Sequence, residues 1–365
     1  MLILAIESSC DETSAAVVRD GDEVLSNVIA SQIEFHRKYG GIVPEVASRK
    51  HIEVINPIIK EALDKASIGF KDLDAVAVTY GPGLVGSLLV GVCAAKAIAY
   101  SLNIPLIGVN HLEGHIYANF LAQITNPKYQ IPNNSQITNP NIQTLEFPFI
   151  SLIVSGGHTM IVEVKDFGKY KTLGQTRDDA AGEAFDKVAR FLKLGFPGGP
   201  VIDKMAKEGN PKAVEFKRPM MEPEFGYDFS FSGIKTAVVN YVMRKMGGTD
   251  LPAGRQGTLV SGETHLSDLV ASFQQAVVDT LVEKTIKAVT DNNIKTVCLA
   301  GGVSANSQLR AQIKARGEEE GLTVIIPPLE YTTDNAAMIG CAGYHRLKAG
   351  HPSDLSIKPI AGLKL

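Results

Sequence analysis

The sequence predicts an α/β protein made of two similar halves with a cleft between them. Three observations carry this prediction: strand and helix patterns alternate along the chain, the second half repeats the layout of the first, and 45% of the 365 residues are hydrophobic. A chain of this length can bury a large core. With 45% hydrophobic and only 21% charged residues, the composition favours a folded, globular protein over a disordered one.

The first half opens with apolar segments that polar turns connect. They predict an antiparallel meander of three strands, Leu2 to Ile6, Ala15 to Val18 and Val24 to Ala30. Alternating βα units follow, and we expect helices over 51–65 and 84–100, strands over 75–79 and 106–109, and a helix from His111.

The second half repeats this order. We expect strands over 149–154, 159–164, 296–299 and 323–326, a helix after Ser304 and a closing helix from Asp334. In sheets of this kind, ligands bind beyond the carboxyl ends of the strands, where helix N-termini converge.

Two polar segments interrupt the pattern. Residues 123–147 repeat Gln-Ile-Thr-Asn-Pro and predict a surface linker or insertion, whereas 247–264 predicts a Gly-rich loop. The expected domains are therefore an N-terminal lobe at 1–122, the linker at 123–147, a C-terminal lobe at 148–330 that contains the 247–264 insertion, and a closing segment at 331–365.

Charge and cysteine content restrict the possible partners and the compartment. A net charge of −3 gives no overall attraction to nucleic acid, so any such binding needs a local basic patch. The four cysteines lack Cys-x-x-Cys spacing, which favours reduced and mostly buried thiols. The N-terminus suits a first strand better than a signal or transit peptide, and no apolar run approaches membrane-spanning length. We therefore expect a cytoplasmic protein with no membrane partner.

His111-Leu-Glu-Gly-His115 is the most informative motif. If Asn110 caps a helix here, the two imidazoles project from one face a turn apart, the spacing that lets two histidines bind one transition metal. The alternative is that both histidines only cap or line a helix. The motif is not that of zinc peptidases, because Glu113 lies roughly 200° around the helix from His111 and cannot serve as their general base.

A dinucleotide fingerprint is formally present at Gly81-Pro-Gly-Leu-Val-Gly86. No acid stands at 103–106, where one would bind the ribose, and the first strand of the fold lies far upstream. Close packing of a helix on a strand explains these glycines better than NAD binding.

Two glycine turns are candidate anion sites. Ser155-Gly-Gly-His158 joins two predicted strands, and its N–H groups can form an anion nest or simply a tight hairpin. Gly301 to Asn306 follows a buried strand and opens a helix, a place that favours a phosphate or ribose. The sequence has no P-loop motif, which excludes that class of nucleotide site.

Acidic side chains lie near several predicted helix starts. Those between Asp178 and Asp186, and Asp203 beyond Pro197-Gly-Gly-Pro200, can hold ribose hydroxyls or only complement helix dipoles. Asp334 precedes the last helix and is either its N-cap or the oxygen ligand that completes a site of two histidines and one carboxylate.

Together these motifs resemble the TsaD family of tRNA threonylcarbamoyladenosine transferases, formerly described as O-sialoglycoprotein endopeptidases, over nearly the whole chain. The opening sequence resembles the bacterial and organellar branch. The matching segments are 7–14, 43–49, 96–116, 154–158, 178–186, 231–235, 301–306 and 333–335.

The resemblance implies a duplicated actin-like, hexokinase-like ATPase fold. It also implies transfer of threonylcarbamoyl from threonylcarbamoyl-AMP to N6 of adenosine 37, in tRNAs that read codons starting with A. One metal ion, iron or zinc, would be held by His111, His115 and Asp334. The implied adenylate-binding residues are Val154, Ser155, Gly156, Gly157, His158, Asp186, Gly199, Asp203 and Asn306.

The implied partners are tRNA, an inert paralogue of the same fold (TsaB) and a small P-loop ATPase (TsaE). An adenine amine is a poor nucleophile and the mixed anhydride a strong acyl donor, so catalysis mainly requires alignment and stabilisation of an oxyanion. Asp11 and Glu12 are the candidate general bases; the alternative is that they are solvent-facing turn acids.

Three other classes stay open at this point. A metallopeptidase would cleave protein without tRNA, and the position of Glu113 argues against it. A non-catalytic scaffold of the same fold would lack the metal ligands. A sugar kinase of the same fold would transfer phosphate from ATP, and only an assay distinguishes it.

Overall fold

The computed structural model describes residues 1–121, 145–246 and 265–365, which form two compact units. Unit 1 comprises Met1–Glu146, Asp166–Tyr170 and Pro327–Leu365, and unit 2 comprises Phe147–Lys165 and Lys171–Ile326. Of the two polar segments, residues 123–144 and 247–264 lie outside the described residues.

Unit 1 contains one mixed sheet with helices. Its strands are β1 (Leu2–Glu7), β2 (Glu12–Arg19), β3 (Glu23–Ser31), β4 (Ala75–Gly81) and β5 (Leu106–Asn110). Its helices are α1 (Ile33–Arg37), α2 (Pro44–Ala66), α3 (Val85–Leu102), α4 (His111–Tyr117) and α10 (Ala336–Lys348).

The sheet of unit 1 has the strand order β3-β2-β1-β4-β5. The first three strands are antiparallel, which confirms the predicted meander, and β4 and β5 extend the sheet in parallel with β1. Apolar side chains of α2 and α3 pack on this sheet to form a buried core. Helix α2 begins seven residues before its predicted start, because Pro44 fits the first turn of a helix.

Helix α3 departs from two expectations. Its eighteen residues have a mean hydropathy of 1.7, enough by length and composition to cross a membrane, so the expectation that no apolar run approaches that length is wrong. One such helix is weak evidence for a span, and Val92, Ala95 and Ala99 lie in the core of unit 1. Cys93, on the opposite face, is exposed, whereas Cys298 and Cys341 are buried as expected.

Unit 2 contains all of the second mixed sheet except the β7–β8 hairpin end at Asp166–Tyr170, which belongs to unit 1. Its strands are β6 (Phe149–Val154), β7 (Thr159–Asp166), β8 (Lys169–Gln175), β9 (Thr296–Ala300) and β10 (Thr323–Ile325). Its helices are α5 (Ala181–Phe191), α6 (Gly198–Ala206), α7 (Ser232–Met246), α8 (Leu266–Asp291) and α9 (Ser307–Glu319).

The two sheets share one topology, which confirms the predicted duplication. The order β8-β7-β6-β9-β10 matches β3-β2-β1-β4-β5 strand for strand. In both, an antiparallel pair leads to two parallel strands. Strand β8 was not predicted, because most of its side chains are polar and exposed and give no apolar alternation.

Candidate functional site

The histidine pair lies on a short helix that begins where β5 ends. The side chain of Asn110 accepts a hydrogen bond from the N–H of Leu112 at 2.9 Å, so the predicted N-cap is confirmed. His111 and His115 follow at i and i+4, and both are buried, with 5% and 0% of their surface exposed. The local sequence thus fixes both imidazoles on one helix face.

Asp334 reaches the same place from the segment before α10. The N-cap of this helix is Asn335, whose side chain accepts a hydrogen bond from the N–H of Met338 at 3.0 Å. The interpretation of Asp334 as the cap is therefore wrong by one residue. In addition, the N–H of Ala336 donates to Oγ of Ser14 on β2 at 2.9 Å, which ties the helix start to the sheet.

The three side chains form a compact donor cluster. Oδ1 of Asp334 lies 3.5 Å from Nε2 of His111 and 3.2 Å from Nε2 of His115. The ring centroids of the histidines are 4.6 Å apart. Ligand atoms around one transition metal, each about 2.1 Å from it, lie about 3 Å from one another. Of the described residues, these three form the cluster that can hold a metal ion.

Nε2 of His115 supports this assignment. It is buried and lacks a hydrogen bond of good geometry to any described residue, although it faces the Asp334 carboxylate. A buried polar atom without a partner costs free energy, which a bound metal would recover. Two imidazoles and one carboxylate are also the donor set of open transition-metal sites.

Glu7 is a site residue whose role the sequence did not reveal. It is fully buried at the end of β1, and its Oε2 lies 3.1 Å from Nδ1 of His111. Its carboxylate also accepts hydrogen bonds from Oγ1 of Thr79 and the N–H of Ser9. Glu7 therefore orients His111 so that Nε2 faces Asp334, as carboxylates orient histidine ligands in metal sites.

Charge in the cluster shifts the pKa values of its members. Burial opposes protonation of His111, but the carboxylates of Asp334 and Glu7 outweigh it and raise the pKa to about 9. Burial lowers the pKa of His115, which favours the neutral imidazole. Burial raises the pKa of Glu7, yet the charge and hydrogen bond of His111 leave it lowered overall. Protonated His111 is thus stabilised by the two carboxylates that face it, whereas His115 keeps a lone pair free for a metal.

Glu113 faces away from this cluster, as the helix angle predicted. It is fully buried, accepts a hydrogen bond from the hydroxyl of Tyr170 at 2.8 Å and pairs with Nε of Arg346 at 2.7 Å. Because both oxygens of Glu113 are bound by Tyr170 and Arg346, this carboxylate stabilises the face of α4 opposite the histidines and cannot act as the base of a peptidase.

Asp11 and Glu12 lie at the start of β2. Both are more enclosed than solvent-facing turn acids, and 8% of Asp11 is exposed. Burial, the nearby charges of Asp11 and Asp334 and a hydrogen bond to Asp11 raise the pKa of Glu12 to about 10. Burial also raises the pKa of Asp11. Glu12 therefore holds a proton at neutral pH and shares it with Asp11.

The glycines at 81–86 serve packing. A Cβ at Gly83 would lie 2.6 Å from the carbonyl oxygen of Ser9, and one at Gly86 would lie 2.3 Å from Oγ of Ser48. Such approaches leave no room for a side chain, which supports the packing interpretation over a dinucleotide site.

In unit 2, the predicted anion nest is a tight turn between β6 and β7. The N–H of Ser155 donates to the carbonyl oxygen of His158 at 2.8 Å, and the N–H of His158 donates to Oγ of Ser155. Gly156 and Gly157 are exposed at the tip, and a Cβ on either would meet nothing within 4 Å. Their N–H groups are not used in these two hydrogen bonds of the turn.

Two further glycines press against this turn. A Cβ at Gly182, at the start of α5, would lie 2.5 Å from the carbonyl oxygen of Ser155. One at Gly301, where φ is +85°, would lie 2.5 Å from the carbonyl oxygen of Val154. The α5 start and the Gly301 segment thus converge on the turn, and this convergence could be foreseen only from the fold.

The acids of unit 2 are held by backbone and side-chain donors. Asp186 accepts from the N–H of Gly198 at 2.7 Å, next to Gly199, where a Cβ would again meet nothing within 4 Å. Asp203 accepts from the N–H and hydroxyl of Ser307 through Oδ1. Asn306 caps α9. These acids and Asn306 are therefore fixed by internal contacts before any ligand arrives.

Comparison with known proteins adds the family. The family model described as "TsaD: tRNA N6-adenosine threonylcarbamoyltransferase" matches residues 23–138 and 133–341. The chain belongs to this family. A tRNA N6-adenosine threonylcarbamoyltransferase of Clostridioides difficile (strain 630) is 53% identical over all of this chain and 98% of its own length. One of Clostridium kluyveri is 50% identical over all of this chain and 97% of its own.

Solved structures support the fold that the TsaD family resemblance implied. HypF in its phosphate- and nucleotide-bound form aligns over 95% of this chain and 46% of its own length, with a TM-score of 0.56 and 13% identity. The activator of 2-hydroxyisocaproyl-CoA dehydratase from Clostridium difficile, with bound ADPNP, aligns over 96% and 97%, with a TM-score of 0.50 and 12% identity. The predicted duplicated actin-like ATPase fold is confirmed.

Proposed function

We propose that this TsaD-family transferase moves threonylcarbamoyl from threonylcarbamoyl-AMP to N6 of adenosine 37 in tRNAs that read codons starting with A. In this reaction the N6 nitrogen forms a bond to the carbamoyl carbon, the bond from that carbon to the phosphate oxygen breaks, and AMP leaves. A metal-assisted reaction is supported by one observation: the donor atoms of His111, His115 and Asp334 lie close enough to bind the same ion.

One divalent transition metal, iron or zinc, would be held by these three side chains. Bound there, it would supply Lewis-acid polarisation of a donor oxygen. Two histidines and one carboxylate with open positions favour Fe(II), and zinc accepts the same donors. Glu7 keeps Nε2 of His111 directed at the cluster, and Glu113 with Arg346 holds α4 in place.

The adenylate part of the donor is assigned to unit 2. The exposed turn at Gly156 and Gly157 would offer backbone N–H groups to the phosphate. Asp186, Asp203 and Asn306 supply oriented polar groups for the nucleoside, and the space beside Gly199 accommodates it. The nucleotides bound in the two solved structures of the same fold are compatible with this assignment.

The proton released by the N6 amine needs an acceptor. Asp11 is the better candidate, because Glu12 carries the shared proton and stabilises the Asp11 carboxylate by donating a hydrogen bond to it. A protonated Glu12 can in turn donate to a developing negative charge.

The proposed partners are a TsaB-like paralogue and a TsaE-like ATPase, in the cytoplasm. The exposed side of α2 and α3 supports a protein partner of the first kind, because large apolar side chains lie there: Ile52 is 64%, Leu89 49% and Tyr100 76% exposed. An exposed apolar face on a helix that also packs on the sheet suits association with another protein.

The test is mass spectrometry of unmodified tRNA after incubation with threonylcarbamoyl-AMP, this protein and its presumed partners. We expect the mass of threonylcarbamoyl to appear on adenosine 37, and His111→Ala to abolish it. Glu318→Gln, an exposed change on α9, serves as the matched control. Full transfer by His111→Ala would overturn the metal role. Transfer of phosphate from ATP, or cleavage of protein without tRNA, would overturn the proposed reaction.

A further inference from the structure

Gln274 lies at the centre of a hydrogen-bonded chain in unit 2. It is on α8, with 2% of its surface exposed. Its Nε2 donates to Oδ1 of Asp203 at 3.3 Å and to Oε1 of Gln308 at 2.8 Å, and its Oε1 accepts from Nδ2 of Asn306 at 2.8 Å. One buried amide therefore connects Asp203 on α6 with Asn306 at the start of α9.

Both ends of this chain fix its direction. The backbone N–H of Leu309 can only donate, so the side-chain group of Asn306 that faces it at 2.9 Å must be the oxygen. The nitrogen of Asn306 then faces Gln274, and the nitrogen of Gln274 must face Asp203. A carboxylate accepts and cannot donate, so each donor has an acceptor.

The far end of the chain is anchored in the same way. Gln308 donates to Gln275, and the side-chain nitrogens of Gln275 and Gln312 both donate to Oδ1 of Asp279, at 2.6 and 2.7 Å. Nε and one terminal nitrogen of Arg218 hold the other oxygen of Asp279. Reversing any one amide would place two donors or two acceptors face to face.

These hydrogen bonds leave defined groups of Asp203 and Asn306 available for a ligand. Oδ1 of Asp203 accepts from Gln274 and Ser307, whereas among the described residues Oδ2 has Lys207 at 3.7 Å as its one polar neighbour. Nδ2 of Asn306 donates one hydrogen to Gln274, and its second hydrogen has no acceptor among the described residues. The remaining groups are thus one acceptor and one donor, each oriented by the same buried amide.

We propose that Gln274 is a positioning residue that sets the orientation of Asp203 and Asn306 for the nucleoside part of the donor. This inference rests on the proposed function. Gln274 does not itself need to touch the ligand. Because it acts through two residues at once, its loss disorients both, and the effect on nucleotide affinity exceeds the effect on the chemical step.

The experiment measures AMP affinity by titration calorimetry, and KM and kcat for threonylcarbamoyl-AMP with the assembled system. Gln274→Met keeps the length and removes all three hydrogen bonds, and Gln274→Leu removes them with a shorter, branched side chain. Gln312→Met is the matched control, since it breaks the far end of the chain without touching Asp203 or Asn306. We expect a tenfold or greater loss of AMP affinity and a matching rise in KM for both Gln274 variants, kcat within about threefold of wild type, and no change for Gln312→Met.

Asp203→Ala separates this inference from the proposed function. If Asp203→Ala binds AMP as tightly as wild type, the nucleotide assignment of unit 2 is wrong. If Asp203→Ala loses affinity and the Gln274 variants keep it, the positioning role alone is overturned. Gln274→Leu tests the same point should Gln274→Met fail to fold, because it fills the position with a different apolar shape. If Gln312→Met loses as much AMP affinity as the Gln274 variants, the hydrogen-bonded side chains only stabilise the fold, and the inference is overturned.

Discussion

Oε2 of Glu7 lies 3.1 Å from Nδ1 of His111, while Nε2 of the same imidazole faces Asp334 at 3.5 Å. One ring thus links a buried carboxylate on β1 with the candidate metal position. Nδ1–H donated to a carboxylate makes Nε2 a better ligand and fixes its direction.

We therefore expect Glu7→Gln to weaken metal binding by about 10- to 100-fold without unfolding the protein. Competition with a chelator, using Zn(II) in air and Fe(II) without oxygen, measures the affinity, and circular dichroism checks the fold. Glu53→Gln, whose carboxylate pairs with Lys50 on the surface, should leave the affinity unchanged. Wild-type affinity in Glu7→Gln would show that Glu7 does not act through His111.

Asn335 gives a prediction about stability. Its side chain caps α10 through Met338, and its amide donates to the carbonyl oxygens of Tyr331 and Thr333, all in a fully buried position. Asn335→Ala should lower the free energy of unfolding by about 1–3 kcal/mol, because it removes the cap and leaves buried groups unpaired. Urea unfolding followed by circular dichroism measures this.

Asn56→Ala on the exposed face of α2 is the control for Asn335→Ala, and it should stay within about 0.5 kcal/mol of wild type. We also expect Asn335→Ala to weaken metal binding, since Asp334 immediately precedes the cap. Equal stability of the two variants would show that the cap contributes nothing measurable.

The sequence predicted the elements whose side chains follow a clear period. Strand β6 matches its predicted bounds because 149–154 is a continuous apolar run, and the Asn110 cap was recognised from its position before the histidine motif. Strand β8 gave no signal, because an exposed strand with Lys, Thr and Gln side chains has no apolar face. Apolar periodicity in the sequence indicates which side chains are buried, so it does not detect a strand whose side chains are mostly exposed.

Site residues that lie close together in the sequence could be predicted from their motif, whereas those that only the fold brings together could not. His111 and His115 are neighbours on one helix, so spacing alone brought them together. Glu7 is 104 residues away from His111, and only the parallel pairing of β1, β4 and β5 brings the ends of these strands together. The role of Gln274 likewise depends on packing between helices, which no single-segment pattern contains.

Glu12 gives a prediction about pH. Its pKa is near 4.5 in the unfolded chain and is raised to about 10 in the folded protein, chiefly by burial. The folded state therefore binds a proton more tightly, and the resulting stabilisation is complete below pH 4.5 and is lost as the pH rises towards 10. Wild-type stability should fall from pH 6 to pH 9. Glu12→Gln, which resembles the protonated form, should show a shallower decline.

Urea midpoints measured at pH 6, 7.5 and 9 check this prediction for wild type, Glu12→Gln and Glu53→Gln. The last variant changes an exposed carboxylate and should follow wild type. Parallel curves for wild type and Glu12→Gln would show that Glu12 titrates normally, and the shared proton with Asp11 would then have to be abandoned.

Gly156 and Gly182 form a matched pair for testing the nucleotide site. A Cβ at Gly156 meets nothing within 4 Å, whereas one at Gly182 lies 2.5 Å from the carbonyl oxygen of Ser155. Gly156→Ala should therefore leave stability within about 0.5 kcal/mol of wild type, and Gly182→Ala should cost about 1–3 kcal/mol. If a phosphate approaches the turn, Gly156→Ala should still weaken AMP binding, since its methyl group occupies the space that the ligand needs. Calorimetry and urea unfolding on the same samples separate the two effects, and unchanged AMP affinity in Gly156→Ala would place the phosphate elsewhere.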